Sequence, residues 1–162
     1  MASTQTQGDL SLLRDPVAGW LLRSRIPARL AYSGKDGTPR VVPMWFHWNG
    51  ETFVMGSVPN SPKVAALRAR ADVALTIDTD VFPHHVLMVR GKAHIKLVDG
   101  VAKEYAASAQ RYAGEEQGAL WIKRMEQLSS QMARIEITPT WVRILDFQSR
   151  FPSAIVKRME NA

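Results

Sequence analysis

Pro39-Arg40-Val41-Val42-Pro43-Met44-Trp45-Phe46-His47-Trp48-Asn49-Gly50-Glu51-Thr52-Phe53-Val54-Met55-Gly56-Ser57 says more than any other stretch about how this 162-residue chain folds. Asn49-Gly50 is a strong hairpin turn, so Arg40 to Trp48 and Glu51 to Ser57 read as its two strands. The first strand is unusual. Val42, Met44, Phe46 and Trp48 share one face, yet Val41, Pro43 and Trp45 make the other face apolar too. A half-exposed antiparallel strand alternates apolar with polar. Cover on both faces can come from the chain's own N-terminal helix, from a partner subunit, or from a flat aromatic ligand. Pro43 cannot donate to a ladder, which places the strand at an edge or a bulge.

On the N-terminal side of this hairpin, Arg29 to Ser33 reads as a strand closed by the Asp36-Gly37 turn signal. A helix precedes it: Asp15 is the N-cap, Pro16 the first residue, and Val17, Trp20 and Leu21 recur at helical spacing until Pro27. Downstream, Asp72 to Thr79 carries Val73, Leu75 and Ile77 on one face. His85 to Val98 alternates Leu87, Val89, Ala93, Ile95 and Leu97 against Arg90, Lys92, His94 and Lys96, with Gly91 marking a bend or bulge. A helical stretch follows, with Tyr105, Ala109 and Tyr112 on one face and then Trp121, Met125, Leu128 and Met132 in helical register. The last strand runs Ala133 to Ile137, is interrupted by Pro139, and is completed by Trp141 to Phe147. About six antiparallel strands with a few helices imply a mainly β barrel carrying surface helices. No repeat or linker divides the chain, so one domain over 1–162 is expected, with its core at about 12–147 and a polar N-terminal tail at 1–9.

A hydrophobic fraction of 46% suffices for a core, and no run approaches the roughly 20 apolar residues that cross a bilayer. With no cysteine there is no disulfide and no thiolate chemistry. A cytoplasmic location, without membrane association, is the expectation. The net charge of +6 favours an anionic partner. The basic residues are spread and most tryptophans sit in core-like patterns, which argues against a nucleic acid.

One loop could hold an anion. After Gly56-Ser57-Val58-Pro59-Asn60, Ser61 is a natural N-cap, Pro62 a natural first residue, and Lys63 puts a cation in the first turn. A helix N-terminus disfavours a lysine unless an anion is near. Ser57 and Ser61 add hydroxyls. The plainer reading is a capped surface helix with an incidental lysine. No phosphate loop, dinucleotide fingerprint or nucleophile elbow is present. His84 and His85 are adjacent, His47 and His94 isolated, and no metal site is expected. No carboxylate pair suits acid–base work, so catalytic residues stay unassigned and a bound cofactor would carry any chemistry.

The order of these elements, with Pro-Arg-Val-Val-Pro-Met-Trp-Phe-His-Trp-Asn-Gly (39–50), Ser-Pro-Lys-Val-Ala-Ala-Leu-Arg (61–68) and Ala-Asp-Val-Ala-Leu-Thr-Ile-Asp (71–78), resembles the pyridoxamine 5′-phosphate oxidase-like superfamily over about residues 12–147. Within it, the chain is similar to the short flavin/deazaflavin oxidoreductases. The resemblance implies a Greek-key split β-barrel, a homodimer, and two cofactor sites at the subunit interface. It would set the ring of FMN, or of the deazaflavin coenzyme F-420, against Val42, Pro43, Met44, Trp45 and Phe46. The cofactor phosphate would lie near Ser57, Ser61 and Lys63, and Trp141 or Phe147 would come from the partner. The implied activity is hydride transfer between the ring and a small substrate; the alternative is a non-catalytic protein that binds or stores a flavin, deazaflavin or haem. Ser61 and Pro62 stand where relatives often carry an arginine. The arginine-rich ending of true pyridoxamine-phosphate oxidases is absent, which argues against vitamin B6 oxidation.

Overall fold

The local signals act where the sequence puts them. In the computed structural model, which describes residues 6–161, Asp15 accepts the Val17 N–H at 2.9 Å and Pro16 opens helix α1, Pro16–Arg23, behind a single 3-10 turn at Leu10–Arg14. Strands β1 (Ala28–Ser33) and β2 (Pro39–Met44) flank a turn in which Gly37 takes φ +80°. Strands β3 (His47–Trp48) and β4 (Phe53–Ser57) flank the turn at Gly50, φ +99°. Then come α2 (Pro62–Ala69), β5 (Asp72–Asp78), β6 (Val86–Asp99), α3 (Lys103–Ala113), α4 (Glu115–Leu128), β7 (Gln131–Leu145) and α5 (Ser153–Glu160). The count is seven strands and not about six, because the expected second strand breaks at Trp45-Phe46 into β2 and β3.

That break closes the barrel. The strands lie in one antiparallel sheet in the order β2-β1-β5-β6-β7-β4-β3. Its two edge strands, β2 and β3, are joined by only Trp45 and Phe46, so the sheet must curl until its edges meet. The inward row of the register is Val42, Leu30, Leu75, Val89 and Val142, and this row lies in the core. Pro43 lies on edge strand β2, where a missing donor costs nothing.

Three expectations need correcting. The last strand is not cut by Pro139. β7 runs through it, because the register slips between Arg90 and Gly91 there and β4 pairs only as far as Ile137. The ring therefore sits where no ladder donor is required. Gly91 is needed at the bulge, since a Cβ would lie 2.5 Å from the Thr138 carbonyl oxygen. Met132 belongs to β7 and not to a helix, since Ser129 caps the end of α4. Of the polar tail, residues 1–5 lie outside the described residues, while Gln7 and Gly8 are docked. Gln7 exchanges hydrogen bonds with the Ile144 main chain at 3.1 and 3.2 Å, and the Gly8 N–H donates to Val142 at 2.7 Å. They cover the part of β7 that β4 leaves open.

The C-terminal end of β7 is tied to α1 by ions. Buried Asp146 accepts from the N–H groups of Gln148, Ser149 and Arg150, and from Arg150 Nε at 2.9 Å; Arg150 reaches Asp15 at 2.7 Å. Burial alone would raise the Asp146 pKa, but these donors outweigh it and hold the carboxyl below its usual range. Asp15 follows the same pattern, with Arg150 and the Val17 N–H overcoming its burial. Both pKa values are depressed on folding, so their stabilisation is complete above the ordinary carboxylate pKa of about 3.9 and is lost as pH falls through the folded values. Asp146→Asn should therefore cost about 1.5–3 kcal/mol in urea unfolding at neutral pH. The gap to the parent should narrow only below about pH 4.

Candidate functional site

The loop after β4 builds the charged end of the site. Ser61 caps α2 by accepting the Val64 N–H at 3.3 Å, and its hydroxyl shares a 3.1 Å hydrogen bond with that of Ser57. Lys63, one residue into the helix, is folded inward and half-buried. Its Nζ donates to the Met44 thioether sulfur at 3.1 Å, a weak acceptor. No carboxylate among the described residues lies within 4.0 Å of it. Burial pushes the ammonium's pKa down. A desolvated cation with only a thioether for a partner, and no carboxylate within reach among the described residues, is a costly arrangement that an incoming phosphate would relieve.

Next to this cation lies a recess of about 220 Å³ lined by Pro43, Met44, Trp45, Gly56, Tyr105 and Trp121. Trp45 is stacked flat on Tyr112, with centroids 5.3 Å apart and planes 3° from parallel, and meets Trp121 edge-on at 6.1 Å. Trp121 Nε1 donates to the Tyr105 hydroxyl at 2.9 Å, fixing two of the walls. Residue 56 must be glycine for steric reasons, because a Cβ there would sit 2.6 Å from the Tyr105 ring and 2.7 Å from Met132 Sδ.

Of the residues expected at the site, the structure brings Pro43, Met44 and Trp45 together in the recess, with Lys63 against Met44 and Ser57 directly after Gly56. Val42 and Phe46 are placed otherwise: Val42 packs on the core, and Phe46 is fully buried in it, 5.7 Å from Phe53. Trp141 is not in this recess. It lies across the outer face of the sheet, in the row Val41, Ala31, Ala74, Arg90, Trp141, with the Arg90 guanidinium 4.4 Å from its ring. Four strand spacings, roughly 19 Å measured along the curved sheet, separate it from Val41. Phe147 belongs to the C-terminal turn, where it meets His84 and Phe151 edge-on. Sequence reasoning missed Gly56, Tyr105 and Trp121. The helical period marks the two aromatics as core-facing, whereas a glycine inside a strand does signal close approach.

The fold has counterparts in known proteins. A family model described as pyridoxamine 5′-phosphate oxidase matches residues 18–146. The chain belongs to that family. Its sheet, helices and connections are those of the family's split barrel. A solved structure named F-420 reductase is 26% identical with a TM-score of 0.60, covering 76% of this chain and 94% of its own. A conserved hypothetical protein from Mycobacterium tuberculosis aligns at a TM-score of 0.67 and 18% identity, over 91% of each chain. HutZ, a haem storage protein from Vibrio cholerae, aligns at 0.59 and 17%, over 82% of this chain and 93% of that one. No curated protein matches the chain. Proteins of this fold thus carry names for both reduction and haem storage.

In this member Gly56→Ala should overpack the recess and cost about 1–3 kcal/mol in thermal or urea unfolding. The near-ultraviolet circular dichroism of the Tyr105–Trp121–Trp45 group should change with it. An unchanged melting temperature would show that Tyr105 does not rest on Gly56.

Proposed function

We propose that this protein is a homodimeric flavin- or deazaflavin-dependent oxidoreductase, with FMN as its first-choice cofactor and coenzyme F-420 as the alternative. The observation that carries the reading is Lys63: a half-buried cation, unpaired among the described residues, held against Met44 at the edge of an apolar recess, in the same loop-and-helix start as the hydrogen-bonded Ser57 and Ser61 hydroxyls. Those groups fit a molecule that is flat and apolar at one end and phosphorylated near it. Lys63, Ser57 and Ser61 would hold the phosphate, and Pro43, Met44 and Trp45 would form a dry wall for the ring. When bound, the ring supplies hydride transfer to or from a small substrate. Tyr105 and Trp121 narrow the opening, exclude water and limit the substrate's size.

The dimer reading rests on the outer sheet face. Val41 is 65% exposed on β2, and the register sets it beside Ala31 and Ala74. Pro43 begins the adjacent row, which continues through Arg29, Thr76, Met88 and Arg143. A patch with small and apolar side chains at one end and guanidiniums at the other suits a second copy. It would let Trp141 of the partner subunit complete a site it cannot reach within its own chain.

Titration with FMN and with F-420, followed by absorbance, should show saturable binding of one of them. Cofactor reduction and reoxidation on a test acceptor separates an oxidoreductase from a storage protein, since storage predicts binding without turnover. Lys63→Met should have opposite effects on two measurements. Removing a desolvated charge should raise the melting temperature of the cofactor-free protein, while cofactor binding weakens by about 1.5–3 kcal/mol. Unchanged affinity would remove Lys63 from the site. Val41→Lys should shift the sedimenting species from dimer to monomer, and a persistent dimer would move the interface elsewhere.

A further inference from the structure

A second recess, of about 370 Å³, shares no residue with the first and is lined by Leu13, Arg14, Gly19, Leu22, Arg23, His47, Trp48 and Arg111. Three guanidiniums and an imidazole converge there from four elements: the 3-10 turn, α1, β3 and α3. No carboxylate among the described residues lies within 4.0 Å of any of them. Elsewhere the chain does pair such groups, as in Arg134 with Glu104 and Glu136. Like charges gathered in one concavity repel, so this clustering is unfavourable until an anion enters.

One of the three guanidiniums is held firmly in place. Arg111 is clamped at the base: one terminal nitrogen donates to the Phe46 carbonyl and, at 3.2 Å, to the Tyr112 hydroxyl. Its guanidinium carbon lies 4.8 Å from the centroids of both aromatic rings. Its Nε is buried without a hydrogen-bond partner. Gly19 makes room for Arg23, whose terminal nitrogen lies 3.2 Å from where a Cβ would be. A guanidinium fixed as Arg111 is, with two exposed ones at the rim, favours paired contacts to phosphate or carboxylate oxygens. The volume equals about a dozen waters at roughly 30 Å³ each, more than one phosphate needs.

We propose that this recess binds a small polyanion carrying at least two phosphate or carboxylate groups, at a site separate from the cofactor's. Its occupant would touch Arg111, which holds the Phe46 carbonyl, while neighbouring Tyr112 stacks on Trp45. The link to the cofactor wall is therefore two residues long.

Isothermal titration of the full chain with pyrophosphate and, separately, with citrate tests the proposal. The Lys63→Ala background removes the anchor proposed for the cofactor, and chloride at about 0.15 M screens loose surface attraction. One site per chain should remain in Lys63→Ala for at least one probe. Adding Arg14→Ala or Arg23→Ala, both exposed side chains whose loss spares the core, should weaken it tenfold or more. The probe that binds tighter identifies the occupant as a phosphate or a carboxylate compound. No binding in the Lys63→Ala protein, or equal affinity after the arginine substitutions, would overturn the proposal. Neither result bears on whether FMN or F-420 binds the parent protein.

Discussion

The two-residue link Trp45–Phe46 governs how the whole barrel is arranged. It joins the first and last strands of the sheet, so those edges have no choice but to meet. Phe46 turns inward and is fully buried, while Trp45 turns outward and is covered by Tyr112, Tyr105 and Trp121. Opposite burial of two adjacent large aromatics pins the seam on both sides, a gain worth several kcal/mol in apolar area alone. Both recesses of the barrel open beside it. One is walled by Met44 and Trp45, the other by His47 and Trp48.

Helix α3 turns this closure into a platform for function. Arg111 and Tyr112 hold the seam through the Phe46 carbonyl and the Trp45 ring, and the Tyr112 hydroxyl donates to the Ile26 carbonyl at 3.1 Å. Burial raises the Tyr112 pKa, which keeps that hydroxyl protonated and able to donate. Tyr105, two turns earlier, can lie on β4 only because residue 56 is glycine. The cations that have no ion-pair partner among the described residues lie on either side of this aromatic framework. Lys63 with its two serines and the three arginines of the second recess are arrangements the folded chain tolerates at a cost, and an anion would offset it.

Much of this fold is legible in the sequence. Asp15-Pro16, Asn49-Gly50 and Ser61-Pro62 act through backbone conformations that depend on nearest neighbours, and each does what its local chemistry dictates. The same holds for the family, whose order of elements spans most of the chain. Pro139 misled because its reading assumed a partnered ladder. Whether a proline interrupts a strand depends on what lies beside it, and here β4 has already ended. Met132 misled because a methionine at helical spacing fits a helix or a strand until Ser129 is seen to end α4.

Local chemistry along the chain was thus enough for the strands, the helix starts, the apolar row that became the core, and the presence of a lysine where a helix does not want one. It took the folded chain to bury Lys63 against Met44, to wall the recess with Tyr105 and Trp121, and to set Trp141 on another face of the same chain. Turn and cap energies are set within four residues of the chain. A pocket is made where segments dozens of residues apart are brought together by closure of the sheet, and nothing in the spacing along the chain encodes that distance. The stretch from Pro39 to Ser57 contains both kinds of information: its alternation announces two strands, and its break at Trp45-Phe46 acquires meaning only once the barrel closes through it.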